Sequence, residues 1–77
     1  MRIRWENKDR RRFYEQRITV KDCVNDCTLH NIWGAIGSAL GGERIEVISS
    51  EAEGIDKIIK ESKRRISHGY QVTDIIF

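Results

Sequence analysis

Proline is absent from this 77-residue chain, so no stiff extended linker divides it, and no Gly- or Ser-rich or single-residue-biased stretch marks a flexible tail. Cysteine is scarce, with two residues, and in a chain that shows no export signal these are expected to be reduced thiols, which points to the cytoplasm. Long hydrophobic runs are missing too. The longest mostly apolar run, 32–40, is about half of what a bilayer-spanning helix needs, so neither a membrane anchor nor a membrane partner is expected. No internal repeat and no catalytic or cofactor motif is present.

What the chain does have is charge, and it is unevenly placed. Residues 1–21 carry Arg2, Arg4, Lys8, Arg10, Arg11, Arg12, Arg17 and Lys21 against Glu6, Asp9 and Glu15, a net +5, while the remainder is net −3. The overall +2 therefore conceals a basic end, suited to meeting a partner. With 39% hydrophobic residues and two each of Trp, Tyr and Phe, the chain can form a core and reads as one globular domain, 1–77. A domain of this size buries only about 60% of the surface its unfolded form exposes, which leaves little room for a large internal cavity.

Arg2 to Glu6 alternates with period two and reads as a strand, Asn7 to Arg10 as a turn, and Arg12 to Val20 as a second strand. The register of this hairpin leaves open whether Trp5 and Phe13 are core or contact surface. Leu29, Ile32, Trp33, Ile36 and Leu40 recur at spacings of three, four and seven and predict a first helix, stopped by Gly41-Gly42. Glu43 to Ser49 predicts a strand well inside a sheet. Ser50-Glu51-Ala52-Glu53 has the form of a capping box, opening a second helix with Ala52, Ile55, Ile58, Ile59, Ser62 and Ile66 on one face. Gly69 ends that helix, and Tyr70 to Phe77 is a closing strand. The expected fold class is α+β: a single four-stranded mixed sheet in ββαβαβ order, with right-handed crossovers and both helices packed on one face.

The first candidate site is the hairpin tip. Lys8, Arg10, Arg11 and Arg12, with Arg4 and Tyr14 nearby, combine guanidinium groups with aromatic surfaces. Such a tip fits carboxylates on a protein partner, the preferred expectation, or the phosphates and bases of single-stranded nucleic acid, the alternative. The bland reading is a charged tip that blocks sheet-to-sheet pairing. Lys63, Arg64 and Arg65 form a secondary basic patch that also suits a helix C-terminus; lying on the same side as the tip, it would make one basic surface and favour nucleic acid.

Cys23, Cys27 and His30 form C-x3-C-x2-H and would share one helical face, with His68 a conceivable fourth ligand. The spacing is poor for zinc, and no metal or other cofactor is expected. Gly34, Gly37, Gly41 and Gly42 match no phosphate-loop pattern. Gly34, with Ala35, Ser38 and Ala39, would form a small-residue helix face for tight packing or a homodimer. No spacing sets a nucleophile beside a base, so no catalytic residue is assigned and the chain is expected not to be an enzyme.

In size, in its lack of a catalytic signature and in general layout, the chain resembles the small inhibitor and regulator proteins encoded by phages and mobile elements, including anti-CRISPR proteins. The resemblance is one of plan and carries over no particular residue. It implies a protein that docks on a host macromolecule and blocks it.

Overall fold

The computed structural model describes residues 1–20, 27–38 and 40–77. Strands β1 (Arg2–Asn7) and β2 (Arg12–Val20) form the expected antiparallel hairpin, with Trp5 opposite Tyr14. The chain then departs from expectation. The segment with helical spacing is a strand, β3 (Cys27–Ala35), which pairs antiparallel with β2 and sets Trp33 opposite Tyr14. After β4 (Gly41–Ile48) comes α1 (Glu51–Ser67), and β5 (Gln71–Ile76) returns to pair with β1. The result is a five-stranded sheet, order β4-β3-β2-β1-β5, with every pairing antiparallel.

This corrects the expected ββαβαβ plan of a four-stranded mixed sheet under two helices. There is one helix among the described residues, and no parallel crossover. The reason lies in β3. Its buried row, Cys27, Leu29 and Asn31, contains a polar residue that hides the period of two, while Ile32 and Trp33 supply a false helical repeat. The β-branched residues Thr28 and Ile32 suit extended backbone better than a helix interior, and Gly34 would weaken a helix. Gly34 and Ala35 thus end a strand, so the small-residue helix face expected to pack tightly or to dimerise is not formed by them; Ala39 lies outside the described residues.

Ile3, Trp5, Ile18, Cys27, Leu29, Ile48 and Ile58 form the core between the sheet and α1. Burial of each large aliphatic side chain there stabilises by about 1.5–3 kcal/mol. Trp5 is 0% exposed, and its indole N–H donates to Ser62 Oγ at 3.2 Å. At Gly54 the helix packs close to the sheet: a Cβ there would stand 2.8 Å from the Cδ1 atoms of Ile18 and Ile48. That contact rotates α1 so that Gly54 and Ile58 are buried, while Ile59 and Ile66 of the expected apolar face are half-exposed. Its start is as expected: Ser50 accepts from the Glu53 N–H at 3.1 Å, and Glu53 reaches back, to the Ser49 N–H at 2.7 Å.

The other side of the sheet has no helix among the described residues. There Arg4 lies over the Phe13 ring at 4.1 Å and pairs with Glu6 and the buried Glu15. β4 is an edge strand, contrary to its expected place inside the sheet, and Ile45 and Val47 stand exposed on this side.

Candidate functional site

The hairpin tip is held from two directions. Asn7, 6% exposed, accepts the Arg10 N–H through Oδ1 at 3.1 Å and donates through Nδ2 to the carbonyl of His68 at 3.2 Å. On the other flank the Ile36 N–H donates to the Arg11 carbonyl at 2.9 Å. The tip is thereby fixed against the end of α1 and against the β3–β4 turn. Arg11 takes the left-handed conformation, φ 52°, that closes the tip.

The end of α1 is shaped by a Schellman closure. The Gly69 N–H donates to Ile66 O at 3.1 Å and the Tyr70 N–H to Arg65 O at 3.0 Å, with Gly69 at φ 86°. This fold-back sets the Arg65 guanidinium 4.0 Å from the Tyr14 ring centroid and 5.4 Å from that of Tyr70, with Glu61 Oε1 at 2.6 Å. Arg65 is a pillar between helix and sheet. Trp33 lies 6.3 Å from Tyr14, nearly parallel at 12°, and is 39% exposed. It lies flat because its cross-strand partner is Gly42, where a Cβ would meet the indole at 2.6 Å.

Between these features runs a groove with two chambers, about 860 and 370 Å³, that share Tyr14, Trp33 and Arg65. The larger adds Arg10, Arg12, His68 and Tyr70; the smaller adds Arg44, Lys57, Arg64, Gln16 and Asn31. Two carboxylates, Glu46 and Glu61, line the groove as well. Glu46 pairs with Arg44 and Lys57, and the hydrogen bond from Arg44 holds its carboxyl below the ordinary value. Burial, with Glu61 adding to it, raises the pKa of the Tyr14 phenol. Of the arginine and lysine side chains that line the groove, Arg10, Arg12 and Arg64 have no ion-pair partner among the described residues and are the cations available to a ligand there.

The groove floor is an ordered polar network. Asn31 Nδ2 donates to Glu46 Oε1 at 3.1 Å, which turns its Oδ1 toward Gln16 Nε2 at 2.8 Å and the Tyr14 hydroxyl at 3.3 Å. With its amide oriented by that chain, Gln16 keeps a buried Oε1 without a hydrogen-bond partner among the described residues.

Of the residues expected to bind, Arg10, Arg12, Tyr14, Arg64 and Arg65 meet at this groove, so the tip and part of the secondary patch share one surface. Lys8, Arg11 and Lys63 are exposed outside the two chambers. Arg4 is on the opposite side of the sheet, engaged by Phe13 and carboxylates. Trp5 is core. Trp33, Tyr70, Arg44, Gln16 and Asn31 escaped the sequence reading, and His68 entered it only as a conceivable metal ligand; a Trp facing a Gly-Gly pair across a hairpin was the available signal. The proposed ligand trio does not converge: Cys27 is on the helix-covered side of β3, His30, three residues on, faces the other way, and Cys23 lies outside the described residues. No protein family, curated protein or solved structure matches this chain.

Proposed function

We propose that this protein is a non-enzymatic binding module whose groove receives single-stranded nucleic acid. One observation carries the reading: the tip cations Arg10 and Arg12 and the helix-end Arg65 line the same groove around an exposed, flat-lying Trp33. Phosphates would meet Arg10, Arg12 and Arg64, and a base would stack on the open indole, the combination that sequence-tolerant single-strand binders use. A duplex, with its bases already stacked, would offer the indole nothing.

The test is anisotropy of a labelled single-stranded oligonucleotide. Three phosphate contacts give a log–log salt slope of about −2, and replacing Arg10, Arg12 and Arg64 with Ala should flatten it. Trp33→Ala should weaken binding by about 1–3 kcal/mol without changing the slope. Affinity unchanged in both variants would overturn the reading.

A second reading is favoured by Lys8 and Arg11, exposed cations of the tip that stand outside the two chambers. The tip would then insert into an acidic surface of a protein that the domain inhibits or regulates. Retention of that protein after nuclease treatment, abolished by Arg11→Ala, would establish it.

A further inference from the structure

Two strands bound the sheet, and they differ. β4 carries Glu43, Arg44 and Glu46 among its eight residues, whereas β5 carries Asp74 among six, and Arg2 neutralises that carboxylate. β5 therefore lacks the lysines, prolines and unpaired charges that keep edges apart. Its pairing with β1 contains a register shift between Arg4 and Trp5: Asp74 lies opposite Arg4, Val72 opposite Trp5 and Ile75 opposite Ile3. Trp5 and Ile3 share the helix-covered side, so the shift brings Val72 and Ile75, three apart, onto one side of the sheet. Both are nearly half-exposed.

That spacing is self-complementary. A two-fold axis perpendicular to the sheet, midway between Thr73 and Asp74, lays β5 antiparallel to β5 of a second copy. Val72 then faces Ile75 of the second copy, Ile75 faces its Val72, and Thr73 meets Asp74. We infer that the chain pairs with itself through β5, forming a continuous ten-stranded sheet. A perpendicular axis preserves the sides of the sheet, so both helices and both grooves face the same way. The inference rests on β5 alone, and holds whatever the groove binds.

Sedimentation across a wide concentration range should give twice the 9.0 kDa chain mass. Val72→Lys with Ile75→Lys places like charges opposite each other and should return the protein to monomer. Val72→Lys with Ile75→Glu places opposite charges across the same axis and should retain the dimer. Hydrogen exchange of β5 amides in the unaltered protein should slow as concentration rises, a readout that needs no substitution. A monomer at every concentration, exchange independent of concentration, or a dimer unaffected by the Lys/Lys pair and broken instead by Val47→Lys in β4 would each overturn the inference.

Discussion

Asn7 uses both ends of one amide, as acceptor for the hairpin tip and as donor to the carbonyl of His68, the residue that caps the helix. It touches no part of the groove floor, yet it sets the distance between the tip arginines and Arg65. Asn7→Ala leaves two backbone groups without their partner. The expected cost is about 1–3 kcal/mol in denaturant unfolding, with weaker oligonucleotide binding because the two cationic walls are no longer fixed to each other. Glu46 is the second residue of this kind. Its folded pKa is lowered by Arg44 and Lys57, so its contribution to stability is complete above the unfolded carboxylate value. That contribution is lost as pH falls through the lowered folded value. Glu46→Gln should therefore flatten the acid limb of the stability profile, measured as the urea midpoint against pH. Unaltered acid sensitivity in that variant would remove Glu46 from the account.

At the scale of elements, α1 and β3 show what sequence can and cannot carry. The helix declared its start through Ser50 and Glu53 and its end through Gly69, because caps are local chemistry. Which side it buries was not local. Gly54, a residue that weakens isolated helices, sits where an added Cβ would press on Ile18 and Ile48. Gly54→Ala improves helix propensity and nevertheless should destabilise the protein by about 1–3 kcal/mol through overpacking, read from thermal or chemical unfolding. β3 was illegible for a related reason. Asn31 occupies a buried row where periodicity anticipates an apolar residue, and its partners Gln16, Tyr14 and Glu46 come from the two neighbouring strands. The arginines of the tip were visible as a cluster, whereas Trp33 and Tyr70 joined them only once β3 was a strand and β5 had folded back.

At the scale of the whole molecule, a single layer of helix on a single sheet leaves much of the chain's apolar area on the outside, at β4 and β5. The chain holds a charge network on the open side of the sheet, while the core and the cationic groove share the helix-covered side, so the groove is built directly onto the part that holds the fold together. The two tryptophans share that side but differ in exposure. Trp5 is sealed under the helix and Trp33 lies open over Gly42. Their emission should differ accordingly, the sealed indole at shorter wavelength and the open one at longer. A ligand entering the groove would quench the red component alone, and unfolding would shift the blue one. A single unlabelled spectrum thus separates occupancy from integrity, with the protein serving as its own indicator.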